Sequence, residues 1–204
     1  MAKTVHIDKY ARDAEHWRTR AAIAYQAARI LFTHENALML CFEAAPVAHH
    51  ALEMFLKTAL INEGYTIFNP DKAGQLDPSV KLDKTDCAWA HNLVDLAKLL
   101  AAKRPEFDLS AELIVPCYVP IRGPLTIESA FAMFDPFFFE LRYPGELEEL
   151  DGIGPDDVRV LDALVEVLAP FVGSMTARAK PPSPGNIPLE TTAQAQSPEQ
   201  RDSA

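Results

Sequence analysis

Four side chains within one short stretch, His49, His50, Glu53 and Lys57, bring together two imidazoles, a carboxylate and an ammonium. On a helix turning about 100° per residue, His50, Glu53 and Lys57 share one flank, and His49 falls on the apolar stripe beside it. Carboxylates and imidazoles move protons, while lysine and arginine meet phosphate charge. If His91 and Arg142-Tyr143 join this flank across a bundle, the group forms a polar pocket for a nucleotide phosphate or an RNA backbone, with Tyr143 stacking on a base. Simpler readings stand beside it. His49 can be a core histidine with one hydrogen bond, and Glu53–Lys57 a helical i,i+4 pair contributing a few tenths of a kcal/mol. Glu53 and Arg142 can also pair structurally. No metal is expected, because adjacent histidines on a helix point in different directions. No cofactor is expected either, since the eight glycines are scattered and build no phosphate loop.

The elements that must carry these residues read as helices. Trp17, Ala21, Ala24, Ala28 and Leu31 recur at spacings of four and three, and the first helix is expected to start at an Asp8 N-cap. Its alanine-rich stripe allows a neighbouring helix to approach closely. Thr33 is the expected N-cap of the next helix, whose stripe is Leu38, Phe42, Ala45, His49, Leu52, Leu56 and Ala59, ending at Gly64. Pro46 should kink or break it. Residues 65–89 form a long loop, marked by Asn69-Pro70-Asp71, Gly74 and Asp77-Pro78, of a size often functional. A third helix carries Leu93, Leu96 and Leu100 and stops at Pro105. Residues 110–124 begin helically before their prolines fragment them. Ile127, Phe131, Phe134, Phe138 and Leu141 define a fourth stripe, closed by Pro144-Gly145. Pro155, Asp156 and Asp157 open a fifth, with Val158, Leu161, Val165 and Leu168 facing inward until Gly173.

No segment alternates with period two, so the expected fold class is all-α: an antiparallel up-and-down bundle of about five helices over residues 1–177. Residues 178–204 hold Pro181, Pro182, Pro184, Pro188 and Pro198 among Ser, Thr and Gln, and read as a disordered tail that cannot bury enough apolar area to order itself.

Composition narrows the function classes. The formal net charge is −10, and the tail's three basic and three acidic residues cancel, so the bundle carries the excess. Such a field disfavours RNA as a partner, although a local basic cleft stays open. Cys41, Cys87 and Cys117 make no C-x-x-C pair and read as buried free thiols. His6, Asp8, Lys9, Arg12 and Asp13 interrupt any apolar start, and no run reaches the ~20 residues of a membrane span, so no leader or membrane association is expected and the cytoplasm is the expected location.

Three strings in this order resemble the HEPN domain family. His49-His50-Ala51-Leu52-Glu53-Met54-Phe55-Leu56-Lys57-Thr58-Ala59-Leu60-Ile61, followed by Glu63-Gly64, is similar to its second helix. His91-Asn92-Leu93-Val94-Asp95-Leu96 is similar to the opening of its third, and Leu141-Arg142-Tyr143-Pro144 to the end of its fourth. The resemblance covers roughly residues 8–175. It implies a helical bundle, commonly a homodimer, that binds a nucleotide or a partner protein of nucleotidyltransferase type in toxin–antitoxin, stress or defence systems. Catalytic members carry an arginine followed, four to six residues on, by a histidine late in the domain. Here the last histidine is His91, so Arg104, Arg122, Arg142 and Arg159 have none after them. Arg29 and His34 have the spacing but lie at the end of the first helix. The expected function is therefore dimerisation and ligand binding without that chemistry, and no catalytic residue is assigned. The rivals are a metal-independent ribonuclease using His49, His91 and Arg142, and a purely structural scaffold.

Overall fold

The computed structural model describes residues 9–69, 71–72, 83–118, 124–138 and 153–173. Among them the regular elements are five α-helices and short 3-10 turns, with isolated bridges but no strand. The fold is an all-α bundle. Helix α1 (Ala14–Thr33) and helix α2 (Ala37–Asn62) are joined by three residues, so they run as an antiparallel hairpin. Helices α3 (Leu93–Lys103), α4 (Ile127–Phe134) and α5 (Asp157–Val172) pack around it, each of them touching α2.

Small residues explain the closeness of α1 and α2. Ala21 and Ala28 on α1 are buried, as are Ala37, Cys41, Ala44, Ala45 and Ala48 on α2. This corrects the expected α2 stripe at its start, where Leu38 and Phe42 point outward instead. An alanine seam lets two backbones approach more closely than leucine and phenylalanine would, so the small residues take the interface. Beyond Ala45 the predicted stripe holds: His49, Leu52, Leu56 and Ala59 are all buried.

The helix ends have specific causes. α1 starts at an Asp13 cap, whose carboxylate accepts from His16 N at 3.0 Å, after a 3-10 turn over Lys9–Arg12; Asp8, the expected cap, lies outside the described residues. Thr33 is the last residue of α1, its hydroxyl donating to Arg29 O, and Asn36 precedes α2 in the place expected for Thr33. Pro46 does not break α2; the carbonyl it leaves without a partner belongs to Phe42, on the exposed flank where water can reach it. α2 stops as expected at Gly64: its φ of +92° lets Gly64 N donate to Ile61 O and Tyr65 N to Leu60 O.

Four further readings are revised. Both ends of the 65–89 stretch are packed, not solvated: Tyr65, Ile67, Phe68 and Ala88 are buried, and Thr66 exchanges backbone bonds with Asp86 and Ala88. Pro70, Gly74 and Asp77-Pro78 lie outside the described residues. Residues 110–118 are not helical. They run beside the start of α4, where Leu113 N donates to Leu125 O and Ile127 N to Ala111 O. α4 ends at Phe134 and tightens into a 3-10 turn over Asp135–Phe138, whose three-residue period buries Phe137. Leu141, Pro144-Gly145 and the 178–204 tail lie outside the described residues. Of the free cysteines only Cys41 is buried; Cys87 is half-buried and Cys117 exposed. Among the described residues no helix is long and apolar enough to cross a membrane.

Candidate functional site around Lys57

The apolar run of α2 carries an ion pair into the interior. Lys57 is 2% exposed and Glu53 4%, one turn apart, and the Lys57 ammonium donates to Glu53 Oε1. Isolated charges are not tolerated at that depth, so the pair is held from several sides. The ammonium lies 5.5 Å from the Trp17 ring centroid and 5.7 Å from that of Trp89, placing indoles from two other parts of the chain within cation–π range. His91 Nδ1 donates to Glu53 Oε1 at 2.9 Å, and His50 Nδ1 approaches Oε2 at 3.8 Å, an electrostatic contact longer than a hydrogen bond. Burial alone would push the Glu53 carboxyl up, but the nearby His50, Lys57 and His91 outweigh it and hold it at about 2. Glu53 is therefore an anion throughout the neutral range.

His49 lies deeper. Its Nδ1 donates to the Phe134 carbonyl at 2.9 Å, which fixes one tautomer and ties α2 to the end of α4. Burial lowers its pKa, against the opposing pull of that hydrogen bond and of Glu53. This is the core histidine of the simpler reading, and it adjoins the polar group, with Nε2 at 4.0 Å from Glu53 Oε2.

The remaining positions follow from local caps. Trp17 is anchored by donation from Nε1 to Tyr10 O at 2.8 Å. The strap bearing Trp89 and His91 is pinned before by Ala88 N to Thr66 O and after by Asn92, whose side chain caps α3 by accepting from Asp95 N. Asp135 reinforces that start by accepting from Leu93 N and Val94 N; burial raises its pKa against these bonds. Trp89 (47% exposed), His91 and His50 form the solvent-facing rim, with Glu53 and Lys57 beneath.

The structure thus brings together His49, His50, Glu53, Lys57 and His91. Arg142 and Tyr143 lie outside the described residues. Sequence reasoning missed Trp17 as a wall of the site, having assigned it to the core stripe, and missed Trp89 and Asp135 altogether. The signal for Trp89 was its place two residues before His91. Arg29, half of the early Arg–His pair, has Nε 3.2 Å from Asp162 on α5, and Tyr25 donates to the same carboxylate. Among the described residues no group of three or more His, Cys, Asp or Glu is arranged to hold a metal ion. Comparison with family models, with curated proteins and with solved structures finds no match.

Proposed function

We propose that this chain is a HEPN-like helical protein that acts by dimerising and by binding a nucleotide, with the Trp89–His91–His50 rim over Glu53 and Lys57 as the ligand site. One observation carries the reading: a lysine and a glutamate are buried at considerable desolvation cost directly beneath an exposed indole, an exposed imidazole and a half-buried one. Trp89 offers a stacking face to a base, and the His50 ring, which lies beyond hydrogen-bond distance of Glu53, offers its N–H to a phosphate. Lys57 already gives its charge to Glu53, so its part is to fix the carboxylate and thereby the imidazoles. A pair serving packing alone would need no such rim. Exposed apolar side chains on the outer hairpin, Ile23 and Ile30 of α1 with Leu38, Met39 and Phe42 of α2, supply surface for the dimer. A cytoplasmic role in a toxin–antitoxin, stress or defence system, beside a nucleotidyltransferase-type partner, belongs to the same proposal.

Calorimetric titration with ATP, AMP and GTP tests the site. Trp89→Ala, His91→Ala and Arg142→Ala should each abolish or strongly weaken binding while far-UV circular dichroism stays unchanged. Titrations identical to the parent protein in all three variants would reject the nucleotide site, and a monomer mass by light scattering at high concentration would reject the dimer.

A second reading, metal-independent RNA cleavage, is favoured by one feature. His91 donates through Nδ1 to the Glu53 carboxylate, which is how a carboxylate orients an imidazole for proton transfer, and His50 lies 3.8 Å from the other oxygen of that carboxylate. Here His50 replaces the deeply buried His49 of the expected trio. Cleavage of tRNA in the presence of chelator, lost in His91→Ala, would establish this reading over the first. A scaffold would show neither binding nor cleavage.

A further inference from the structure

A second concavity lies where α3 and α5 both finish. It is a cleft of about 330 Å³, at the small end of the ~300–1,000 Å³ range of ligand pockets. Its apolar surface comes from Phe107 and Phe171, whose rings meet edge to face at 5.3 Å, and from Ile127 and Val167. The rim is polar: Arg104, Glu106 and Asp108.

Three features fix the sign of its electrostatics. Arg104, the cation on the rim, is already engaged: Nε donates to Glu106 at 2.7 Å, Nη1 lies 3.3 Å from Glu63, and the guanidinium sits 5.6 Å over the Phe171 ring. Both rim carboxylates are held below the ordinary range, Glu106 by its own backbone N–H and by Arg104, Asp108 by Ser110. α3 ends at Lys103 and α5 at Val172, beside the lining residues Arg104 and Phe171, so the negative ends of two helix dipoles converge there. Pro170, also in the lining, removes one helical N–H and leaves the carbonyl of Glu166 without its helical donor. The lining therefore sets one guanidinium against two carboxylates, Glu106 and Asp108, at the negative ends of two helices and over an aromatic floor.

We propose that this cleft is a binding site for a small aromatic amine, its ring against Phe107 and Phe171 and its ammonium toward Glu106 and Asp108. Aromatic faces and carboxylates both attract a cation, and with two carboxylates to one guanidinium in the lining the net negative charge disfavours an organic anion. The site is separate from the Lys57 rim and does not depend on the function proposed there.

Titration of the full chain with 2-phenylethylamine at neutral pH, followed by amide chemical shifts, tests the assignment. A ligand of roughly nine non-hydrogen atoms is expected to bind in the millimolar range, with shifts at Phe107, Val167 and Phe171. Phenylacetate, of similar shape and opposite charge, should bind at least about tenfold more weakly. Glu106→Gln, an exposed position that leaves the core intact, should weaken the amine several-fold, and Val167→Trp should fill the cleft and remove binding. Equal affinity for amine and anion, shifts elsewhere only, or no saturation at about ten times the expected concentration would overturn it.

Discussion

Replacing Glu53 by glutamine leaves the Lys57 ammonium buried without the carboxylate that balances it. Two routes give the size of the effect. Removing one partner of a buried ion pair costs about 3–5 kcal/mol. Independently, a carboxyl brought from 4.5 to about 2 by its neighbours contributes about 3 kcal/mol at neutral pH. The two agree, and against a total stability of roughly 5–15 kcal/mol the loss is large. It corresponds to a melting-point drop of roughly 10 °C for a domain of this size. The sign with pH follows from the depressed value. Stabilisation is fully present above pH 4.5 and is lost as pH falls toward 2, so parent and Glu53→Gln proteins should converge in strong acid. Thermal melts by far-UV circular dichroism on Glu53→Gln, Lys57→Met and the double variant provide the measurement. Each single change should cost about 3 kcal/mol, and the double change should recover most of it because no buried charge remains. A cost below about 1 kcal/mol for Glu53→Gln, or a double variant equal to the sum of the singles, would refute the account of a mutually dependent buried pair.

Three other outcomes are expected. His49 is buried with a lowered pKa, so unfolding lets it take up a proton below pH 6.5; the parent should lose stability on acidification from that point, and His49→Gln should show a shallower slope in melts between pH 7.5 and 5. Asn92→Ala removes the acceptor for Asp95 N and should cost about 1 kcal/mol, seen as faster hydrogen exchange in the first turn of α3. Gly64→Ala should also cost about 1 kcal/mol in urea denaturation, because its φ of +92° is unfavourable for a side chain even though no atom lies within 4 Å of the added Cβ; Gly64→Asn should cost less.

How much of this was legible depended on whether local chemistry or tertiary cover decided the outcome. The Gly64 stop, the Pro155-Asp156-Asp157 entry to α5 and the Leu93–Leu96–Leu100 face are local and were read correctly. The start of α2 was misread because two four–three rhythms overlap there, one of bulky residues and one of small ones. Hydrophobicity favours Leu38 and Phe42, while the opposing alanines of α1 select Ala37, Cys41 and Ala44. Phe137 joins the core after Phe134, a spacing of three, because Pro136 sits in a turn of shorter period. Of the candidate site, its α2 members were visible as a flank pattern. Their depth was not, since a lysine on a helix flank ordinarily reaches water. Lys57 is buried by Trp89 and Trp17, and the aperiodic stretch around Trp89 gives no local indication of where it docks.

Those two indoles are the only tryptophans in the 204 residues, and both face the same ammonium. The intrinsic ultraviolet emission of the protein is therefore a local signal: every photon emitted from an indole originates beside Lys57. A ligand stacking on Trp89, a strap lifting from α2, or a proton reaching Glu53 would each register in the emission maximum or its quenching by iodide, without a label or a mutation. The placement of Trp17 and Trp89 makes the candidate site its own reporter.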